Sequence, residues 1–372
     1  MLRISSHKDI SGMNTFRMKA KAERFVKWSS PADLAGIDFS ILPAPILPVG
    51  EGSNLLFTGD FPGTVVFSTF KDKEVLEEMC AGDDVFVRCG AGLVWDDFCD
   101  WTARCGWWGA ENLSAIPGTV GAAPVQNVGA YGVEAGDIIH EVSCYDILEG
   151  RFVSFSAAEC RFAYRDSFFK HCRGRYIVCS VIFHLYKDFR PRLEYGHLAA
   201  EVERNAEICA VNSDPYKVTY DTSSIAASPV TPLLVRNTVK AIRESKLPAV
   251  KKVGSAGSFF KNPVVKQAVY EKVCSVVQAS RGADAAVPHY DLPDNMVKIP
   301  AAFLIDFCGL KGASFGGAAV WKDQPLVIVN ASGKATPADI LGLENLIKDT
   351  VRSAFGISLE AEVDHIVSVS RL

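Results

Sequence analysis

The run GSAGSFFKNP at residues 254–263 sets Ser258 between Gly257 and two phenylalanines. A serine there can attack as a nucleophile, help cradle a phosphate, or hold a turn. A nucleophile elbow, G-x-S-x-G, needs glycine two residues before the serine, and that position is Ala256. Arg165, in FAYRDSFFK (162–170), stands among aromatics with Asp166 beside it. A buried guanidinium must be paired, so it is either the structural partner of Asp166 or a bidentate clamp on a substrate carboxylate. Glu360 and Glu362 share the polar face of an alternating run, about 7 Å apart by strand rise. On a solvated face they do no chemistry; in a cleft one of them can be catalytic. Lys246 closes a helix in RESKLP, where a cation suits the dipole. Tyr195, in LEYGHL, reads as a partly buried loop aromatic, and Asn262, before Pro263, reads as a turn.

Three glycine-rich segments are candidates for holding phosphate. GEGSN (Gly50, Glu51, Gly52, Ser53, Asn54) and GAGLVW (90–95) each follow a strand, and a glycine turn lets backbone amides approach an anion without a Cβ in the way. Neither completes G-x-G-x-x-G, because the sixth positions are Leu55 and Trp95, and neither opens a βαβ unit. Each alone reads as an ordinary turn. The third, IPGTVGAAPVQNVGAYG (116–132), is expected to be a long shaped loop with no regular helix or strand, and loops of that length inside a domain are commonly functional. A classical Rossmann site is therefore disfavoured, while the three segments together point to a pyrophosphate-bearing cofactor.

The elements that must position these residues alternate between strand and helix patterns. Strands are expected at 46–49 and just before 57, at 84–90, 138–147 and 176–186, and along ISLEAEVDHI (357–366), where Ile357, Leu359, Ala361 and Val363 alternate with polar residues. Helical patterns are expected at 71–79, from Trp95 to Cys105, and from Thr231-Pro232 to Lys246. In the last third two more are expected, Pro300–Leu310 and Thr336-Pro337 to Gly356. Residues 187–230 are polar and irregular and read as a linker or insertion. The class is α+β, with no internal repeat.

Bulk properties narrow the function. A length of 372 residues implies more than one core. A net charge of −4 argues against nucleic acid as a partner, and the absence of an 18-residue apolar run argues against a membrane span. The eleven cysteines are scattered with no C-x-x-C, which fits reduced thiols in a cytoplasm, and no histidine spacing fits a metal site.

In chain order the pieces NTF (14–16), GEGSNLL (50–56), the 116–132 loop, YRDSFFK (164–170), KLP (246–248), GSAGSFFKNPVV (254–265), LIDFCGLKG (304–312), GGAAV (316–320) and LEAEV (359–363) resemble the UDP-N-acetylenolpyruvoylglucosamine reductase family, in its subtype with a tyrosine-bearing substrate loop. The resemblance implies a two-subdomain FAD-binding region of the PCMH/vanillyl-alcohol-oxidase type, at 1–70 and 71–190. It also implies a substrate loop and insertion at 191–230, a third, α+β substrate-binding domain at 231–355, and a C-terminal strand and tail, 356–372, carrying the catalytic glutamate. FAD falls to Gly50, Glu51, Gly52, Ser53 and Asn54, and to Ile116, Pro117, Gly118, Gly121, Ala122, Gln126, Asn127, Gly129, Ala130, Tyr131 and Gly132. Arg165, Ser258 and Glu362 are implied as catalytic, and Tyr195, Lys246 and Asn262 as substrate-binding.

The implied reaction passes hydride from NADPH by way of FAD to C3 of UDP-N-acetylglucosamine enolpyruvate, in peptidoglycan synthesis. Ser258 then acts as general acid toward C2, while Arg165 and Glu362 stabilise the charge that develops. A monomeric cytoplasmic enzyme acting on small molecules is expected. Two other readings stand beside it: a flavin oxidase of sugars or alcohols, which leaves the Arg165, Ser258 and Glu362 set without a reason, and a non-catalytic nucleotide-sugar binder. This chain departs from the family at Phe307 and Gly309, where members often carry glutamine, and in an extra segment near 204–230.

Overall fold

A computed structural model describes residues 2–212 and 230–367. The chain divides into two compact units: the first is Met1–Ser5, Phe25–Gly50 and Thr64–Ser245, the second Ser6–Arg24, Glu51–Gly63 and Lys246–Leu372.

The first unit is built on a five-stranded antiparallel sheet in the order Arg151–Ser156, Ile139–Asp146, Tyr176–Tyr186, Asp84–Gly90, Lys73–Val75. Tyr176–Tyr186 lies centrally, so its run IVCSVIF is buried throughout. Helix Trp95–Arg104 packs on this sheet through Trp95 and Phe98, the latter stacked on Phe183 with ring centroids 4.3 Å apart. The stretch 71–79, expected as a helix, is instead the strand Lys73–Val75 followed by a 3-10 turn at Glu77–Met79. Charged side chains are no obstacle on this exposed edge, where Glu74 lies opposite Arg88 and pairs with it at 2.6 Å.

The segment 116–132 is more ordered than a free loop. It holds a 3-10 turn at Val120–Ala122, a short helix at Ala123–Gln126 and the small ladder Gly129–Ala130 with Val133–Glu134. Residues 187–230 also hold regular structure, a helix at Leu198–Asn212. Its buried residues Leu198, Val202 and Ala206 recur every fourth position, and the first two join Trp108, Val235 and Val239 in a small core. Val235 and Val239 lie on helix Pro232–Lys246, whose Thr231 hydroxyl accepts from Leu234 N as a helix-start residue should. Positions 213–229 of the extra segment fall outside the described residues.

The second unit carries an antiparallel sheet in the order Gly254–Ser258, Val327–Asn330, Ala318–Val320, Ser314–Phe315, and a three-stranded sheet of Val264–Lys266, Met296–Lys298 and Tyr290–Leu292. Helix Pro337–Phe355 starts with a full capping box between Thr336 and Asp339 and stops at Gly356, which takes a left-handed φ of 69°. Ile340, Leu343, Ile347 and Val351 form its buried stripe. The helix near 300 is shorter than expected, Ala301–Phe307. A further helix, Gln267–Arg281, was not anticipated; it buries only Val273 and Val277 fully, too thin a stripe to stand out in the sequence.

The alternation from Ile357 to Val363 is real in burial, but only Asp364–Ile366 forms a ladder, parallel to Leu55–Phe57. Upstream of it the chain is tied by single contacts, including an isolated bridge between Ala361 and Phe260.

Candidate active site

In the first unit the glycine segments converge. A Cβ on Gly50 would lie 2.5 Å from Thr119 Oγ1 and 3.3 Å from Ala122 Cβ, while one on Gly121 would lie 2.6 Å from Ala91 Cβ. The amides of Val120 and Gly121 donate to the carbonyls of Leu93 and Ala91, so the 116–132 segment is laid along the GAGLVW turn. The result is a surface of backbone and small side chains that larger residues would fill, and it fits an extended dinucleotide such as FAD.

Asn127 orders the next stretch. With a left-handed φ of 48°, it donates to Glu134 Oε2 at 2.6 Å and Ala163 O at 3.1 Å and accepts from Gly136 N at 2.7 Å. Ala163 opens a tight turn closed by paired backbone bonds with Asp166, and Arg165 sits in that turn at φ 55°, a conformation costly for a non-glycine residue. Arg165 Nη2 donates to Gly129 O at 2.8 Å, which brings this arginine onto the glycine segment. The Asp166 carboxylate accepts from His171 at 2.9 Å.

Tyr131 and Tyr195 meet edge to face with centroids 5.9 Å apart. Arg243, which sequence reasoning missed, is half-buried and donates Nε to Ala115 O at 3.3 Å. Burial pulls its guanidinium below the usual arginine range, opposed by Tyr131 and Asp96 and reinforced by Arg165. Two cationic side chains within electrostatic reach of each other, Arg243 also reaching Tyr131, make a region suited to an anion.

Elsewhere in this unit, burial pushes the Glu111 carboxyl up to about 7, opposed by hydrogen bonds that include the Gly109 amide at 2.6 Å. Burial also raises the thiols of Cys89, Cys160 and Cys179 to about 12, so none of them is a nucleophile at neutral pH.

In the second unit Ser258 ends the strand Gly254–Ser258 just after a break in register, with Gly257 at φ 70°. The irregularity re-aims the serine at the strand end, a common use of a bulge beside a site. From the next residue on, the chain joins the C-terminal segment: Glu362 N donates to Phe259 O at 2.8 Å and Lys261 N to Glu360 O at 2.9 Å. The Glu360 side chain is 76% exposed and pairs loosely with Lys261, so of the two glutamates it is the solvated one.

Gly52 takes φ 61° against Met13, and Asn54 Nδ2 donates to Glu362 O at 2.9 Å. Asn262 Oδ1 accepts from Ala301 N at 2.9 Å and so caps helix Ala301–Phe307. Lys246 has an exposed side chain, and its carbonyl accepts from Trp321 Nε1 at 3.1 Å. Phe307 packs on Phe303 and Phe355 and lies under the Arg281 guanidinium, an apolar role in place of a polar one.

Fold and site together define an α+β flavoprotein: residues 41–156 match the model of an FAD binding domain. Residues 248–366 match the model of the UDP-N-acetylenolpyruvoylglucosamine reductase C-terminal domain. The chain is 40% identical over 355 residues to a UDP-N-acetylenolpyruvoylglucosamine reductase of Bacteroides fragilis strain YCH46, covering 95% of this chain and 97% of that one. It is 43% identical over 359 residues to the enzyme of that name from Neisseria gonorrhoeae, covering 95% of each. The chain belongs to the UDP-N-acetylenolpyruvoylglucosamine reductase family. The crystal structure of the UDP-N-acetylenolpyruvylglucosamine reductase from Thermus caldophilus has the same fold, with a TM-score of 0.63 at 21% identity over 98% of this chain and 99% of that one. The α+β class with a PCMH-type FAD region is therefore the one observed. Among the described residues, no helix is long and apolar enough to cross a membrane.

Proposed function

We propose that this protein reduces UDP-N-acetylglucosamine enolpyruvate to UDP-N-acetylmuramate with NADPH, using FAD, for peptidoglycan precursor synthesis. Bound FAD supplies the redox chemistry, accepting hydride from NADPH and passing hydride to C3 of the enolpyruvyl group.

The chain's own residues handle charge and proton. Hydride arrival at C3 places negative charge at C2, spreading into the substrate carboxylate. The Ser258 hydroxyl donates a proton to C2; such a carbanion is basic enough to take it without a histidine to activate the serine. Glu362 and Arg165 stabilise the developing charge, each worth a few kcal/mol if aimed at it. Tyr195, Lys246 and Asn262 bind substrate, with Lys246 acting as a point charge for a diphosphate. Gly50 to Asn54 and the 116–132 segment hold FAD.

The observation that carries this reading is the backbone bond from Glu362 to Phe259, which ties the proposed acid group to the residue following the proposed proton donor. We further assign 1–70 and 71–190 to FAD, 191–230 to a substrate loop and insertion, 231–355 to substrate, and 356–372 to delivery of Glu362. The enzyme is taken to act as a cytoplasmic monomer, with no nucleic-acid or membrane partner.

The test is NADPH oxidation by the purified protein with the enolpyruvyl nucleotide sugar. Substrate-dependent oxidation with UDP-N-acetylmuramate as the product, identified by mass, supports the reading; NADPH oxidation indifferent to the sugar overturns it.

A further inference from the structure

Asn112 is fully buried, and its side-chain amide joins two segments that the sequence keeps far apart. Nδ2 donates to Tyr131 O at 2.9 Å and to Arg192 O at 2.7 Å. Tyr131 belongs to the glycine segment, and Arg192 lies three residues before Tyr195. Oδ1 is buried and has no hydrogen-bond partner among the described residues. The orientation is nevertheless forced, because turning the amide over would set its oxygen against two carbonyl oxygens. A buried acceptor left unsatisfied costs on the order of 1–3 kcal/mol, an expense a purely space-filling residue would avoid.

Two further contacts converge on the same junction. Arg192 Nη1 pairs with Asp137 at 2.8 Å, and the Tyr195 ring stands edge to face on Tyr131. A Cβ added to Gly132 would lie 3.5 Å from Tyr195 Cβ, so the two backbones pass close to one another. Tyr195 itself stays 41% exposed. Its ring is thus held against Tyr131 while the residue keeps surface at which a ligand can be met.

We propose that Asn112 is a positioning residue for substrate binding: its amide fixes the tyrosine-bearing segment to the cofactor segment and so sets where Tyr195 meets the enolpyruvyl nucleotide sugar. This rests on the assignment of Tyr195 to substrate made above. Asn112 touches neither reacting atoms nor, on this account, the substrate. Its loss acts through Tyr195 and raises KM for the nucleotide sugar while leaving flavin reduction by NADPH unchanged.

The experiment is a mutant cycle on the FAD-loaded enzyme with Asn112→Ala, Tyr195→Ala and the double variant. Each single change is expected to raise KM for the enolpyruvyl nucleotide sugar about tenfold, the size of one lost contact. In the double variant KM rises no further than in Tyr195→Ala, because the residue being positioned is already gone. Multiplying effects, or an unchanged KM in Asn112→Ala beside a raised one in Tyr195→Ala, overturn the inference and leave the assignment of Tyr195 intact. An unchanged KM in Tyr195→Ala overturns both.

If Asn112→Ala does not fold, Asp137→Asn loosens the same segment from the surface. It should then raise KM about twofold in the wild-type background and not at all in Tyr195→Ala; no change in either background overturns the inference.

Discussion

Asn54 donates its side-chain amide to the backbone carbonyl of Glu362 at 2.9 Å across 308 positions of chain, and Asp364 returns its own amide to the Asn54 carbonyl at 2.9 Å. This reciprocal clasp fixes the height of Glu362 along the segment that pairs with Phe259. Asn54→Ala removes one arm and leaves the Glu362 carbonyl to find another donor, a loss of about 1 kcal/mol of stability. With FAD kept saturating, the expected result is a Tm lower by a few degrees and slower reoxidation of the reduced flavin by the nucleotide sugar, with reduction by NADPH much less affected. Equal slowing of both steps, measured by stopped flow, would contradict the clasp's proposed role.

Ser258→Ala removes the proposed proton donor without disturbing the register break that precedes it. Reoxidation of reduced flavin by substrate should fall by about 10²–10⁴, the usual span for general acid catalysis, while NADPH reduces the flavin at a near-normal rate. Ser258→Cys should retain part of the activity, since a thiol can still donate. A Ser258→Ala enzyme with an unaltered reoxidation rate would show that the proton comes from elsewhere.

Much of this arrangement was legible where the controlling chemistry is local. Thr336-Pro337 and Gly356 bracket a helix because a cap and a left-handed stop are written in neighbouring residues. Elements fixed by distant pairing were not. Lys73–Val75 is a strand because Arg88 and its neighbours lie opposite, and Leu198–Asn212 is a helix in a polar stretch because Trp108 and Val235 cover its apolar stripe. In the candidate site the residue types were visible but their partners were not. Gly50 reads as a glycine of a phosphate turn and Gly121 as part of a shaped loop, yet their need for glycine comes from Thr119 and Ala91. Asn112 and Arg243 carried no signal, since a single asparagine or arginine looks the same wherever it lies.

Gly121→Ala tests the convergence of the glycine segments. The new methyl would meet Ala91 at 2.6 Å, and its nearest neighbours there are a Cβ and backbone atoms with no flexible end to swing away. The segment must therefore shift, at a cost of about 1–3 kcal/mol, and FAD affinity should fall roughly tenfold or more. Unchanged FAD binding, followed by flavin fluorescence during reconstitution, would remove this segment from the cofactor site.

Glu111 gives the protein a pH dependence of unusual sign. Its carboxyl is raised from 4.5 to about 7 by burial, so between these values the native state keeps a proton that the unfolded chain has released. Stability from this group is fully present below about pH 4.5, declines as pH rises toward 7, and levels off above it. A shift from 4.5 to about 7 at about 1.4 kcal/mol per unit corresponds to about 3 kcal/mol. Glu111→Gln keeps the shape without the charge, and its stability relative to wild type should rise across this window. Urea unfolding of both proteins at pH 5 and pH 8 reads the difference; a constant offset between them would mean that Glu111 does not titrate as described.

The central claim is that one flavin passes electrons from NADPH to the enolpyruvyl nucleotide sugar, and an anaerobic visible spectrum of the FAD-loaded protein tests it most directly. The flavin band should bleach on adding NADPH and return in full when UDP-N-acetylglucosamine enolpyruvate is added. A flavin that NADPH does not bleach, or that stays bleached in the presence of the nucleotide sugar, would contradict the account.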